Sequence, residues 1–555
     1  MGLIASKSGQ GPVSLYAAFE ATASQFPDKV ALKGGAQGLT LTYGETLDTV
    51  RRLAAGLQSP EYAGSTEIGL IGENRPEWPI AYLAVVASGK TVVPIDANLR
   101  ANEIESIIRH AGLAALFASG RLEKVVASLR PDLKVFSFEA DSPNHWSRLM
   151  SDPVDFTPVG SRDAAAALIY TSGTTGTPKA VVLTHGNILS NLLGIDEAIY
   201  FDEKDTQLSI LPLHHTFETT AGCLTPLTHG GTIVFARSLK SKEVLDDIDN
   251  NGVTVMCGVP LLYEKMYHAI DRRLRAAPLG DRIMFKVFFG LSAVGRKFGW
   301  GWGRGLFAGL RKKAGMSRMR VLVSGAAALP PQIHRFFVLL GFDFLQGYGM
   351  TETSPVITVQ RPEDIRFGSV GRPLIGVEVK IDNPDENRIG EILARGENCT
   401  LGYRNNPEQT AELWRDGWLH TGDLGKLEHG HLWITGRAKN LIVSAGGKNI
   451  YPEELEEKLW NSNYVLEVVV FGRAKQGRQG EEVRALLVPD LEQFRAEFGM
   501  DPNKPDHDKV RGVLGRVVAE VNADVADYKR ITGFDIQYHE LEKTSTKKVK
   551  RFIYT

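Results

Sequence analysis

The sequence predicts an α/β fold. A large N-terminal region of parallel-type βα layers carries a small β-rich lobe and is followed by a small α+β C-terminal domain. Three observations predict it. Apolar runs of strand length alternate with helical patterns from Leu15 to Val323, and strands separated by helices imply parallel sheets covered on both faces. The texture changes to shorter strands and turns around Arg366 to Arg395. From Asn440 on, helical stretches Pro452 to Trp460 and Lys509 to Ala523 flank strand-like Val465 to Phe471 and Val483 to Val488.

Taken in order, Leu39 to Tyr43 reads as a strand and Thr46 to Leu57 as an amphipathic helix, with Leu47, Val50, Leu53, Ala54 and Leu57 on one face. Strand-like runs follow at Ile68 to Ile71, Thr91 to Ile95, Ala114 to Phe117 and Val135-Phe136, separated by helical Trp78 to Ala87 and Asn102 to His110. The rhythm continues through Gln207 to Leu211, Thr232 to Phe235, Val253 to Met256 and Arg320 to Val323.

The 555 residues allow more than one domain, and 43% apolar with 23% charged residues is the composition of an ordinary globular protein. A net charge of −1 provides no global field for nucleic acid, and no recognised nucleic-acid module is present. Cys223, Cys257 and Cys399 are too widely spaced for a disulfide framework or a metal site, which favours a reducing, cytoplasmic location. No apolar run approaches the roughly 18 to 20 residues of a spanning helix.

The chemistry centres on Thr171-Ser172-Gly173-Thr174-Thr175-Gly176-Thr177-Pro178-Lys179, set between apolar Ala166 to Tyr170 and Val181 to Leu183. Glycines let backbone N–H groups turn toward an anion, hydroxyls donate to phosphate oxygens, and the lysine supplies a point charge. It is not a Walker loop, because Lys179 stands three positions after Gly176. Alone, the stretch reads equally as a Gly/Thr hairpin.

Further segments decide between these readings. They are Leu211-Pro212-Leu213-His214-His215, Ser324-Gly325-Ala326-Ala327, Gln346-Gly347-Tyr348-Gly349-Met350-Thr351-Glu352-Thr353, His420-Thr421-Gly422-Asp423, Gly436-Arg437-Ala438-Lys439-Asn440 and Gly446-Gly447-Lys448-Asn449-Ile450. With these motifs in this order the chain resembles the adenylate-forming superfamily of acyl-CoA synthetases, luciferases and adenylation domains, and looks most like the long-chain fatty acyl-CoA synthetases. The resemblance runs from Tyr170 to Lys548. It implies activation of a medium-to-long-chain fatty acid by ATP and Mg²⁺ through an acyl-adenylate, and transfer to coenzyme A.

The implied roles suit the residue types. Joining a carboxylate to the α-phosphate concentrates negative charge, so catalysis is positioning plus electrostatic stabilisation. By resemblance, Thr171 to Lys179 holds the β- and γ-phosphates, Glu352 ligates magnesium with hard oxygen, and Thr351 contacts the α-phosphate. Tyr348 stacks on adenine beside Gly325, Ala326 and Ala327, while Asp423 and Arg437 bind the ribose. Lys439 marks the hinge between an adenylating domain, 1–438, and a mobile C-terminal domain, 439–555. Rotation there would present Gly446 and Gly447 to pantetheine and Lys448 to the nucleotide of coenzyme A.

The catalytic lysine is expected near the C-terminus, where the family pattern Pro-Lys-Thr-x-x-Gly-Lys-x-x-Arg meets Glu542-Lys543-Thr544-Ser545-Thr546-Lys547-Lys548-Val549-Lys550-Arg551. Aligning Lys543-Thr544 and Arg551 assigns Lys548, with Lys547 as competitor; Lys547 replaces the usual glycine and Glu542 the usual proline. His215 matches a position that gates the acyl pocket, walled by Phe217 to Gly222, Cys257 to Leu262 and Gly347. Glu218 keeps an amino-acid substrate open, since amino-acid adenylation domains place an acid near there. No carrier-protein segment follows the lysines, so a freestanding enzyme is expected; the alternatives are an acyl-AMP ligase loading a carrier protein and a catalytically impaired lipid-binding relative.

Phe285 to Arg320 holds nine Lys/Arg and no acidic residue, interleaved with Phe288, Phe289, Phe298, Trp300, Trp302 and Phe307. Two readings stand: peripheral contact with an anionic membrane interface, or a buried helix with a solvated basic side.

Overall fold

The computed structural model describes residues 11–34, 38–153, 156–171, 179–444, 446–474, 480–543 and 549–554. The chain forms two compact units. The first is Met1–Val379 with Ala394–His420, the second Lys380–Leu393 with Thr421–Thr555. The chain passes between them within three strands, Val377–Asp382, Gly390–Gly396 and Trp418–Glu428.

The first unit contains a seven-stranded and a nine-stranded sheet among the described residues. The seven-stranded sheet runs in the order Gly402–Tyr403, Lys179–Thr184, Ala165–Thr171, Thr91–Ile95, Glu67–Ile71, Ala115–Ala118, Lys134–Ser137. From Ala165 onward in that order the neighbours pair in parallel, as the alternation of strands and helices predicts. Lys179–Thr184 pairs antiparallel with Ala165–Thr171, so the two strands that flank the Gly/Thr-rich stretch are the arms of a β-hairpin. In the second sheet, Asp343–Gly349, Val321–Ser324, Val255–Gly258, Thr206–Ser209, Thr232–Phe235 and Val30–Gly34 are parallel neighbours.

The helices between the sheets explain one departure from simple amphipathic patterning. Every residue of helix Glu77–Ala87 is buried, and Trp78, Tyr82 and Val85 share one core with Tyr16, Phe19, Tyr43, Ile68, Ala167, Ile233 and Phe235. A helix apolar on all sides is stable only when packed on all sides, here between strands of both sheets. Separate clusters cover the outer faces, one around Ile104, Ile108 and Leu122, the other around Ile248, Tyr263 and Phe337.

Two boundaries differ from the sequence expectation. The helix expected from Thr46 begins at Tyr43, because Thr42 caps it: its hydroxyl accepts the Glu45 N–H at 3.2 Å and its own N–H donates to Glu45 Oε2 at 2.8 Å. That reciprocal cap takes Tyr43 out of the preceding strand. The β-rich texture expected over Arg366 to Arg395 continues into Trp418–Glu428 and His431–Arg437.

In the second unit, Val465–Ala474 and Glu481–Pro489 pair antiparallel and Gly533–Ile536 adds in parallel. Helices Pro452–Trp460 and His507–Ala523 bury Leu455, Leu459, Val510, Leu514 and Val518 in the same core as Val470, Val483, Ala485 and Leu487.

Candidate active site

The site of the first unit is built at the carboxyl ends of adjacent parallel strands, where open α/β sheets bind ligands. His215 follows Thr206–Ser209, Cys257 to Leu262 ends and follows Val255–Gly258, Gly325 to Ala327 follow Val321–Ser324, and Tyr348 to Glu352 end and follow Asp343–Gly349. Sheet topology thus gathers four motifs that lie far apart in sequence.

At the hairpin, Thr171 and Lys179 stand opposite one another as the last described pair before the loop. Ser172, Gly173, Thr174, Thr175, Gly176, Thr177 and Pro178 lie outside the described residues. The Lys179 ammonium sits 5.4 Å from the centre of the Tyr403 ring, and the Tyr403 hydroxyl donates to Glu352 Oε1 at 2.7 Å. Tyr403 therefore joins the base of this hairpin to the Glu352 carboxylate. Burial and the neighbouring Glu352 carboxylate push the phenol well above its ordinary pKa, so it stays a neutral donor. Sequence reasoning missed Tyr403. Its place depends on a two-residue strand, Gly402–Tyr403, pairing with Val181 and Val182, and no local pattern announces so short an element.

Glu352 lies in the 3₁₀ turn Thr351–Thr353 and is 8% exposed. Two buried asparagines hold this turn. Asn191 Nδ2 donates to the Thr353 and Val356 carbonyls at 3.2 and 2.8 Å, and Asn398 Nδ2 donates to the same two at 3.1 and 2.9 Å. The Thr400 N–H donates to the Glu352 carbonyl at 2.8 Å. A carboxylate fixed this firmly suits a hard cation, and Mg²⁺ commonly takes one or two carboxylates with waters and phosphate oxygens. Among the described residues no group of three or more His, Cys, Asp or Glu could hold a metal ion.

Gly325 is a position where a side chain would intrude. A Cβ there would come within 3.1 Å of the Phe217 ring, and the next residue, Ala326, has φ of 70°, unusual for a residue with a side chain. Tyr348 is half-buried on the neighbouring strand, paired with Thr358 and packed beside Ile357 and Cys399. This arrangement fits a flat base beside a bare backbone.

His215 is half-buried, with its ring centre 4.0 Å from that of His214, whose Nε2 lies 3.4 Å from Asp96 Oδ2. Next comes a π-helix, Phe217–Leu224, a form that recurs at functional sites. Within it Glu218 is fully buried, and neither carboxylate oxygen makes a well-aligned hydrogen bond. Gly222 makes room for it, since a Cβ there would lie 2.6 Å from Glu218 Oε2. Burial raises this carboxyl to about 8, only partly offset by the Ser209 hydroxyl and the Ile210 and Leu211 backbone; the facing titratable groups, Cys223 and Cys257, are themselves pushed up by burial. A group that gains a proton on folding makes stability fall as pH rises, here from the ordinary Glu value to about 8, and level off above. Glu218→Gln is accordingly expected to be stabilised relative to wild type by an amount that grows from pH 5 to pH 9, reaching a few kcal/mol. Urea unfolding at pH 5, 7 and 9 measures it; a pH-independent difference would refute the buried, neutral carboxyl.

In the second unit, strand pairing sets Asp423 opposite Arg437, and Arg437 Nε donates to Asp423 Oδ1 at 2.8 Å. Asp423 is buried, whereas the Arg437 side chain is 58% exposed. The Asp423 N–H donates to Thr421 Oγ1 at 3.1 Å and the Gly422 N–H to Glu391 Oε1 at 3.0 Å, with Gly422 in the left-handed region. Lys439 is exposed in the 3₁₀ turn Ala438–Asn440 directly after Arg437. Gly446 and Gly447 form an exposed turn, where a Cβ on Gly447 would meet nothing within 4 Å. The Lys448 N–H donates to Ser444 Oγ at 3.0 Å, and its ammonium lies 4.9 Å from the centre of the Tyr528 ring.

Lys547 and Lys548 lie outside the described residues. Their flanks are well placed. Lys543 and Val549 form an antiparallel bridge, Lys543 pairs with Glu467, and Arg551 pairs with Glu456 while donating to the Val470 carbonyl at 3.1 Å. Burial raises the Glu456 carboxyl to about 7 even beside Arg551. Glu542, standing where the family pattern has proline, uses the N–H that proline lacks: it donates to the Tyr554 hydroxyl at 2.7 Å.

The comparisons agree with this architecture. A family model described as AMP-binding enzyme matches residues 19–404. The peroxisomal long chain acyl-CoA synthetase 7 of Arabidopsis thaliana is 31% identical over 78% of this chain and 66% of its own length. Feruloyl-CoA synthase of an Amycolatopsis species is 30% identical over 83% of this chain and 86% of its own. Among solved structures, the anthranilate CoA ligase AuaEII in complex with anthranoyl-AMP superposes with a TM-score of 0.78 over 99% of this chain and 98% of its own, at 22% identity, a likeness of fold. With the family model over residues 19–404 and relatives 30 to 31% identical over 78 to 83% of it, the chain belongs to the AMP-binding enzyme family, the adenylate-forming acyl-CoA ligases.

Proposed function

We propose that the protein activates a medium-to-long-chain fatty acid to its coenzyme A thioester. The acid's carboxylate attacks the α-phosphorus of ATP, pyrophosphate leaves, and the thiol of coenzyme A then displaces AMP from the acyl-adenylate. The observation that supports the adenylating step is the linkage of Lys179, Tyr403 and Glu352, a cation, a neutral donor and a carboxylate at the base of one hairpin. Magnesium, when bound at Glu352, supplies charge neutralisation at the phosphates. Thr171 and Lys179 bracket the loop that holds the leaving group, Thr351 contacts the α-phosphate, and Tyr348 with Gly325 to Ala327 seats the base. Asp423 and Arg437 take the ribose hydroxyls. Lys548 bridges the acyl carboxylate and α-phosphate, and Lys439 is the hinge by which the C-terminal domain replaces that lysine with Gly446, Gly447 and Lys448 for thiolysis.

The acid is inferred from the site walls and from similarity. Phe217, Cys257 and Leu262 are apolar, and His215 stands at their edge as a gate. Burial raises the Glu218 carboxyl to about 8, so an amino-acid substrate would have to ionise it with its own ammonium on binding. Similarity to a feruloyl-CoA synthase supports one second reading, an aromatic acid. Pyrophosphate release measured across short, medium, long and aromatic acids tests the choice. At least about tenfold higher kcat/KM for medium or long acids than for aromatic ones is expected, the scale that several methylenes in an apolar pocket provide. Preference for the aromatic acids would overturn it. Product analysis with coenzyme A against a carrier protein separates the ligase from a carrier-loading enzyme. Absence of acid-dependent ATP–pyrophosphate exchange would point to the impaired, lipid-binding relative.

A further inference from the structure

The basic, aromatic-rich stretch divides in a way its sequence does not announce. Helix Leu279–Lys297 turns Phe285, Phe288 and Phe289 inward, where they pack on the core that contains Phe307, Phe336 and Phe337. Phe285 lies 5.2 Å from Phe307 and Phe289 6.0 Å from Phe336 between ring centres, and the Ser292 hydroxyl donates to the Leu339 carbonyl at 2.8 Å. Some of the positive charge is structural as well. Arg311 is buried and donates to the Met319 and Gly341 carbonyls, and Arg320 pairs with Asp205. These contacts fix the helix by one face.

Its opposite face is apolar and exposed. Leu279, Ile283, Met284, Val287, Leu291 and Val294 are 69, 54, 51, 52, 43 and 49% exposed. Spacings of four and three residues place them on one stripe. At the helix's C-terminal end Phe298, Trp300 and Trp302 are 66, 52 and 43% exposed, with Trp300 and Trp302 stacked 4.9 Å apart. At 100° per residue, Arg282, Lys286 and Lys297 fall along one edge of the stripe, and all three are exposed. Arg304, Lys312 and Lys313 continue the exposed charge beyond the helix. Asp281, at the other edge, is the one acidic residue of the helix. No helix among the described residues is long and apolar enough to cross a membrane.

We propose that this face docks the protein on an anionic lipid bilayer, with the Leu279–Val294 stripe and the Phe298–Trp302 turn inserted at the headgroup boundary and the basic edge against lipid phosphates. An apolar stripe bordered by lysine and arginine, ending in tryptophan, is the chemistry of a helix that lies in the interface plane. Charge favours lipid over a second copy of this chain, because a second copy would offer the three cations of the basic edge a single acidic residue on this helix, Asp281. The inference rests on this surface alone and stands whichever acid the site activates.

Flotation of the full chain with vesicles of phosphatidylcholine, or of phosphatidylcholine and phosphatidylglycerol in equal parts, tests it. Wild type is expected to float with the anionic vesicles and not with the neutral ones. Val287→Ser/Leu291→Ser is expected to lose binding at least about tenfold, since both the apolar and electrostatic components are needed. Arg282→Glu/Lys286→Glu, exposed and outside the apolar stripe, is expected to lose it similarly and to abolish its salt dependence. Wild type that stays with the buffer, or variants that bind as wild type does, would overturn the proposal. So would a wild-type dimer in solution that the serine variant dissolves, which would assign the stripe to a second copy.

Discussion

Lys548→Ala is expected to lower acid-dependent ATP–pyrophosphate exchange by at least about 10²- to 10³-fold, the scale of removing one group that stabilises charge only in the transition state. ATP affinity should change by less than about threefold, because a group that acts on the transition state contributes little to ground-state binding. Lys543 and Arg551, which with Thr544 set the alignment behind this choice, are each paired with a carboxylate, and Lys543 forms an antiparallel bridge with Val549. Lys547→Ala should lose under about tenfold, since a neighbouring lysine on a flexible stem supports the charge without bridging the reacting groups. Full exchange in Lys548→Ala would transfer the role to Lys547 or elsewhere.

Glu352→Gln is expected to lower the adenylation rate by about 10²-fold or more and to raise the Mg²⁺ concentration needed for half-maximal rate, because an amide offers the metal one neutral oxygen in place of a carboxylate. Tyr403→Phe should cost about five- to twentyfold by removing the hydrogen bond that aims Glu352. Since the two side chains act as one unit, the double variant should be little worse than Glu352→Gln alone. A Mg²⁺ titration of the three variants checks this. An unchanged metal requirement in Glu352→Gln would remove Glu352 from the metal.

The parts of the fold legible in the sequence were those whose signal is local. Ile68, Val92, Leu116 and Leu322 sit in apolar runs of strand length, and each lies in a buried strand. The hairpin that bears Lys179 is announced by two such runs either side of glycines. What the sequence concealed depends on distant partners. Tyr403 gains its role by pairing with a strand more than two hundred residues earlier, and Asn191 and Asn398 clamp the Glu352 turn from 162 residues before and 45 residues after Thr353. Nor does composition say which aromatic residues between Phe285 and Trp302 face the core. Helical phase sends the phenylalanines at 285, 288 and 289 inward, while Phe298, Trp300 and Trp302 lie beyond the helix end and are exposed. Glu218 shows the same limit, because its charge state follows from burial inside a π-helix.

The strand Gly402–Tyr403 has a consequence for solubility. It occupies the border of the seven-stranded sheet, covering Val181 and Val182 of the phosphate hairpin. A long bare border strand offers a ladder of unmatched N–H and C=O groups on which another chain can grow, whereas a two-residue strand offers almost none. The Arg404 N–H extends the cover by donating to the Ala180 carbonyl at 2.9 Å. The same short segment that carries the phenol to Glu352 therefore also guards the hairpin against self-association. Substitutions that detach its backbone should yield aggregates as well as inactive enzyme, whereas Tyr403→Phe, which keeps the backbone pairing, should remain monodisperse.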